Sequence, residues 1–195
     1  MLKDQLKNYQ LILGSSSPRR QNFMTLMGFD FEIRLKPVEE IYPKHLAAES
    51  ITNFLAKLKA EPFLNDLKPN DILITSDTIV CFKDNAIGKP KHKEDAFKML
   101  QELSGNSHLV ISSVCFTTTK TQTLKHCITE VKMQELDDKE IEYYLETFKP
   151  YDKAGSYGIQ EWIGAIGVSE IKGSYNNVVG MPTHIVYEIL KDLTI

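Results

Sequence analysis

An apolar run, Leu11-Ile12-Leu13, opens directly into Gly14-Ser15-Ser16-Ser17-Pro18-Arg19-Arg20, and an amphipathic run with Phe23, Leu26 and Met27 follows. This order reads as a buried strand that passes through a hydroxyl-rich turn into a helix. Pro18 suits the first helical position, where a missing N–H costs little. Two arginines in a first helical turn are unusual, because the helix macrodipole already places partial positive charge there. Free backbone N–H groups, three hydroxyls and two guanidinium forks together suit an anion, and a phosphate matches them best. The competing reading is a capped helix whose arginines point into water.

A second signal lies in the middle of the chain. Ile72-Leu73-Ile74-Thr75 is a buried-strand run, Ser76-Asp77-Thr78 interrupts it, and Ile79-Val80-Cys81-Phe82 resumes it. An acid between two apolar segments is costly to bury without a partner or a metal, so Asp77 is either functional or a satisfied structural carboxylate. Lys83-Asp84-Asn85 reads as the turn of a hairpin. Gly88-Lys89-Pro90 then restricts the backbone on both sides of Lys89.

The elements between these signals alternate. Phe31, Ile33 and Leu35 alternate with polar neighbours as in a half-buried strand that stops at Pro37, and a loop carrying Glu39 and Glu40 follows. Ile51, Phe54, Leu55 and Leu58 mark a helix, with Lys59 beside its apolar stripe. Lys59 is either a ligand reaching back into the protein or a snorkelling flank residue. Ala96, Met99, Leu100 and Leu103 mark another helix, which ends at Ser104-Gly105. Two β-rich runs, 108–119 and 123–133, are expected to pair antiparallel in a central sheet, with His108 and His126 structural or solvent-facing. Asp137 and Glu140 have capping-box spacing before a helix that buries Ile141, Tyr144, Leu145 and Phe148. The glycine-rich stretches 152–167 and 173–182 permit tight turns and close backbone approach to a ligand. They form neither a GxGxxG fingerprint nor a Walker A loop. A last helix is expected over 183–193.

Composition narrows the function classes. The 195 residues suffice for one large domain or two intimate lobes, and 42% hydrophobic with 25% charged residues is ordinary for a globular protein. A net charge of −3 argues against a dedicated nucleic-acid binder but allows a local basic pocket. Cys81, Cys115 and Cys127 lack metal-ligand spacing and read as buried free thiols in a reducing compartment. No apolar run approaches the ~20 residues that span a bilayer, and the polar start lacks a signal-peptide core, so no membrane partner and a cytoplasmic location are expected.

Read in order, several segments resemble the Maf family of nucleoside triphosphate pyrophosphatases. They are Ser15-Ser16-Ser17-Pro18-Arg19-Arg20, Leu55-Ala56-x-x-Lys59-Ala60, Ser76-Asp77-Thr78-Ile79-Val80, Gly88-Lys89-Pro90 and Leu103-Ser104-Gly105-x-x-His108. Asp152-Lys153-Ala154-Gly155-x-Tyr157-Gly158-Ile159-Gln160 and Gly173-Ser174-Tyr175-x-Asn177-Val178-Val179-Gly180 complete the set.

The resemblance implies an α/β fold over 1–195, two-lobed and inosine-triphosphatase-like, with an elongated mixed sheet flanked by helices and a central cleft. It implies hydrolysis of dTTP, UTP or modified pyrimidine nucleotides to the monophosphate and pyrophosphate, a divalent cation (Mg²⁺ or Mn²⁺), and a homodimer. Asp77 would accept the proton of the attacking water. Ser15, Arg19, Arg20, Lys59 and Lys89 would hold the triphosphate, and Glu40, or else Glu39, would join Asp77 at the metal. Arg20, Thr78 and Gln160 match positions that mark the dTTP/UTP subfamily. Two other readings are a nucleotide-binding regulator of division or septum formation, and a purine house-cleaning enzyme acting on ITP or XTP. The chain departs from the family pattern at Ser16, at Ser112-Ser113, and at Glu161-Trp162, where a small residue usually follows the glutamine.

Overall fold

A computed structural model describes residues 1–193. In chain order the elements are α1 (Leu2–Gln5), β1 (Gln10–Leu13), α2 (Pro18–Leu26), β2 (Phe31–Ile33), α3 (Glu49–Leu58), β3 (Asp71–Phe82), β4 (Asn85–Ile87) and α4 (Lys93–Leu103). After them come β5 (Ser107–Thr117), β6 (Gln122–Met133), α5 (Asp138–Phe148), α6 (Trp162–Gly167), β7 (Val168–Lys172), α7 (Tyr175–Val179) and α8 (Thr183–Asp192). Among the described residues the strands form one seven-stranded mixed sheet in the order β2-β1-β3-β5-β6-β7, with β4 paired to β3.

The chain divides into two compact units. The first is Met1–Asp77, Ser112–Cys127 and the described residues from Gly180 onward, and the second is Thr78–Ile111 and Ile128–Val179. The expected single domain, 1–195, also includes Thr194 and Ile195, which lie outside the described residues.

In the first unit β1 is flanked by two parallel partners. Leu11 and Leu13 stand opposite Phe31 and Ile33 of β2, and Leu11 and Leu13 stand opposite Ile72 and Ile74 of β3. Leu11, Ile12, Leu13, Ile72, Leu73 and Ile74 are all buried, as strands covered on both faces require. Ile12 and Leu73 pack with Ala60 and Phe63. Burying each large aliphatic contributes about 1.5–3 kcal/mol, so this strand pair is a firm base for the turn at its end.

Helix α3 follows its expected stripe at Ile51 and Leu55, which are buried with Ala56. Phe54 of the same stripe is exposed, as are Leu26, Ile33 and Leu35, so the apolar pattern overstated the buried face at all four. The half-buried strand ends at Ile33, two residues short of Leu35.

The second unit begins on the outer half of β3. Lys83 and Asp84, with φ of 49° and 64°, form a two-residue turn into β4, whose Asn85, Ala86 and Ile87 pair antiparallel with Phe82, Cys81 and Val80. Consecutive left-handed residues match the twist of a tight hairpin. Asp137 caps α5 with the expected reciprocal bonds: its carboxylate accepts from the Glu140 N–H at 2.8 Å, and Glu140 accepts from the Asp137 N–H at 2.9 Å. The glycine-rich stretches hold more regular structure than their composition indicates, since α6 and α7 fall within them and β7 fills the gap between them. Cys81 and Cys115 are buried thiols, while Cys127 is only half-buried.

Candidate active site

The turn after β1 stands at the carboxyl end of a strand flanked on both sides by parallel strands, β2 and β3. Ligands of α/β sheets bind beyond the carboxyl ends of such strands. Gly14 is required there. Its N–H donates to the Ile74 carbonyl at 2.9 Å, and a Cβ would come within 2.9 Å of Thr75 Cγ2. Ser15 follows with its hydroxyl buried, accepting from the Ser17 N–H at 3.3 Å and from Arg20 Nη1 at 3.4 Å. Pro18 occupies the start of α2, as its fixed φ favours.

Arg19 and Arg20 are half-buried. Arg20 spends part of its fork on the protein itself. Nε donates to the Gly180 carbonyl at 3.0 Å and Nη1 to the Ser76 carbonyl at 2.8 Å. Burial is the main influence on the Arg20 guanidinium and lowers its pKa; Asp77 and Glu40 oppose this, and neighbouring Arg19 adds to it. Arg20 is thus within electrostatic reach of Arg19, Asp77 and Glu40 together.

Asp77 lies within the continuous strand β3 and is 5% exposed. Lys59, at the C-terminal cap of α3, meets it: Nζ stands 2.6 Å from Asp77 Oδ1 and 3.1 Å from Glu40 Oε1. Helix α3 is held on this side of β3 by the Thr75 hydroxyl, which donates to the Ala56 carbonyl at 2.7 Å. It is tied to β5 as well, where the Thr52 and Ser113 hydroxyls stand 2.6 Å apart and Ser113 donates to Asn53 Oδ1 at 2.7 Å. The Ser112-Ser113 departure therefore supplies a bond that fixes the helix carrying Lys59. Of the two acids in the 39–40 loop, Glu40 is the one that reaches the lysine.

The first unit thus gathers Ser15, Arg19, Arg20, Glu40, Lys59 and Asp77. Among the described residues no three His, Cys, Asp or Glu side chains group as a metal cage. Two carboxylates that share one ammonium are still a suitable donor set for Mg²⁺ or Mn²⁺, because hard ions of this kind bind through one or two carboxylates and complete their shell with water and substrate oxygens.

Thr78, Lys89 and Gln160 belong to the second unit. Lys89 is exposed, and the carbonyl of Gly88 before it accepts the Gly155 N–H at 3.0 Å. Gly155 has φ of 68°, and a Cβ there would meet Val80 Cγ2 at 2.9 Å. Lys89 and the Gly155–Gln160 segment are thereby neighbours. Gln160 is exposed, between buried Ile159 and half-buried Glu161.

Some supporting residues escaped the sequence reading. Tyr144, on α5, accepts from the Gly158 N–H at 2.9 Å and donates to Glu161 Oε2, while Lys153 Nζ stands 2.9 Å from Glu161 Oε1. The opposite charges at 153 and 161, bracketing a glycine-rich turn, were the available signal. His108 is buried and structural, 2.7 Å from the Tyr157 hydroxyl, and burial lowers its pKa to about 4. Trp162 opens α6 and packs edge-on to Tyr143, with centroids 5.0 Å apart.

A buried acid, a lysine and two arginines at the carboxyl end of a parallel strand define an α/β protein with an anion-handling acidic site. The family model described as Maf-like protein matches residues 10–193, and the chain belongs to the Maf family. It is similar to the dTTP/UTP pyrophosphatase of Flavobacterium johnsoniae, 56% identical over 193 residues that cover 99% of this chain and 100% of that protein. The dTTP/UTP pyrophosphatase of Christiangramia forsetii is 54% identical, with 99% of this chain and 98% of that protein covered. Among solved structures, a nucleoside-triphosphatase / dITP/XTP pyrophosphatase from Mycobacterium abscessus aligns over 94% of this chain and 95% of its own. Its 11% identity and TM-score of 0.46 are too slight to carry an argument.

Proposed function

We propose that this protein is a nucleoside triphosphate pyrophosphatase that hydrolyses dTTP and UTP between the α and β phosphates, giving the monophosphate and pyrophosphate. The observation that carries the proposal is the Lys59 ammonium 2.6 Å from the buried Asp77 carboxylate, with Arg20 and Glu40 beside them. Full-length similarity to proteins named dTTP/UTP pyrophosphatase supports the same reading.

In this reading Asp77 accepts the proton of the attacking water. Lys59, Arg19, Arg20 and Lys89 neutralise the triphosphate oxygens, and the Ser15 hydroxyl adds a donor. Arg20 also holds the backbone at Ser76 and Gly180, so it shapes the site as well as charging it. Glu40 and Asp77 would hold a divalent cation, which supplies charge neutralisation at the phosphate oxygens. Arg20, Thr78 and Gln160 match the positions that mark dTTP/UTP selectivity in the resemblance, and a site built to hydrogen-bond one base rejects another that leaves its polar groups unpaired.

A single two-lobed domain over 1–195, acting as a homodimer in the cytoplasm, completes the proposal. Among the described residues no helix is long and apolar enough to cross a membrane. The deciding experiment is pyrophosphate release from dTTP, UTP, GTP and ITP with Mg²⁺. Release from dTTP and UTP is expected. No turnover, an unchanged rate in Asp77→Asn, or a clear preference for ITP would overturn it.

A further inference from the structure

Gln160 lies in the middle of a backbone turn: the Glu161 N–H donates to the Gly158 carbonyl at 2.9 Å, leaving Ile159 and Gln160 as the two central residues. Both ends of this turn are fastened to one buried hydroxyl. Tyr144 accepts from the Gly158 N–H at 2.9 Å and donates to the Glu161 carboxylate. The other oxygen of that carboxylate takes Lys153 Nζ at 2.9 Å, and the same ammonium stands 2.8 Å from Asp152.

The fastening is tight and mostly shielded from water. The Lys153 and Glu161 side chains are 13% and 24% exposed, and Tyr144 is fully buried. The Glu161 carboxylate and the Lys153 stem lie directly over Gly158, where a Cβ would stand 2.8 Å from the carboxyl carbon and 3.0 Å from Lys153 Cε. Burial and the bond to Glu161 raise the pKa of the Tyr144 hydroxyl, so it stays a donor throughout the working range.

Glu161 therefore does more than start α6. We infer that Glu161, through Tyr144 and Lys153, is a positioning residue that fixes the Gly158–Glu161 turn and so sets the placement of Gln160, and with it the base selectivity of the enzyme. The inference rests on the pyrophosphatase reading and deepens it. It assigns a specific task to the Glu161 side chain, whose two carboxylate oxygens are both satisfied and close the glycine-rich turn into a ring of bonds.

The test compares kcat/KM for dTTP, UTP and ITP, with Mg²⁺, in the wild type, Glu161→Ala, Glu161→Gln, Tyr144→Phe, Gln160→Ala and the double variant Glu161→Ala/Gln160→Ala. Glu161→Ala should lower the ratio of pyrimidine to ITP turnover about tenfold, a coupling typical of residues in contact. Glu161→Gln should recover part of that ratio, because its amide oxygen still accepts from Tyr144. In the Gln160→Ala background the Glu161→Ala change should leave the ratio unaltered. A wild-type ratio in folded Glu161→Ala, or an equal shift with and without Gln160, would overturn the inference. Should Glu161→Ala not fold, wild-type ratios in both Glu161→Gln and Tyr144→Phe would overturn it equally. A wild type that releases no pyrophosphate from dTTP or UTP defeats the functional reading itself, whereas an active wild type with unaltered variants defeats this inference alone.

Discussion

Lys59 Nζ stands 2.6 Å from Asp77 Oδ1, joining the C-terminal cap of α3 to the interior of β3 across eighteen positions of sequence. The same ammonium is 3.1 Å from Glu40, so one cation holds two acids that come from separate segments. Lys59→Met should remove that tie and strip one cation from the triphosphate site. A loss in kcat/KM of about 100-fold or more is expected from steady-state assays, by analogy with the loss of one preorganised charge-stabilising group. Leaving Asp77 buried without the lysine should also cost about 1–3 kcal/mol in denaturant unfolding. Asp77→Asn keeps the shape and should preserve stability while lowering kcat by about 10²–10⁴-fold.

Arg20 divides its donors between the Gly180 and Ser76 carbonyls. Lysine carries the charge but not the planar fork, so it cannot satisfy both acceptors with the same geometry. Arg20→Lys should therefore lose about 1–2 kcal/mol of stability. It should also change the ranking among dTTP, UTP and ITP. Arg19→Ala should weaken all substrates alike, and a substrate panel at several concentrations separates the two patterns.

His108 gives a pH dependence of stability that is independent of catalysis. Its folded pKa is lowered to about 4 by burial, from an ordinary value of 6.5. Between those values the unfolded chain binds a proton that the folded chain refuses, so stability rises with pH through this window. The contribution is fully present above pH 6.5 and is lost as pH falls towards 4, on the order of 3 kcal/mol in all. Urea melts at pH 7, 6 and 5 should show the loss, and His108→Gln should flatten the slope.

Gly155 is held at a left-handed φ of 68° against Val80, and its N–H fixes the carbonyl of Gly88 beside Lys89. Gly155→Ala should cost about 1–3 kcal/mol through backbone strain alone. The larger functional signature should be a raised KM for nucleotide, since Lys89 loses its neighbour's anchor. A thermal melt and a Michaelis–Menten series on the same sample distinguish the two effects.

Chelation should abolish turnover and leave the melting temperature where it was. The Glu40 and Asp77 carboxylates already share the Lys59 ammonium, so the fold does not need a metal to hold them. A melting temperature that falls sharply in EDTA would assign the cation a structural place instead.

Much of this was legible in the chain because the signals were local. The run Ile72–Phe82 with an acid inside it, the Lys83-Asp84 turn, the Asp137 cap and the strand before Gly14 all depend on neighbours within a few positions. The order of the motifs supplied the family, and the comparison over residues 10–193 agrees with it. Long-range pairing was less visible. Nothing near Lys59 indicates that its partners would be Glu40 and Asp77, and nothing near Arg20 indicates Gly180. The α6–β7–α7 segment is hidden because its glycines indicate tight turns and close backbone approach, whereas Gly164 and Gly167 sit within a six-residue helix. Leu26 and Leu35 fit an apolar period yet face solvent, because a period says which side chains share a face and not whether anything covers it.

The bond from Arg20 to Gly180 spans 160 positions, almost the whole chain. Gly180 thus acts on the 14–20 turn from far along the sequence: a change that shifts its carbonyl would swing the Arg20 guanidinium without altering any residue of the turn itself.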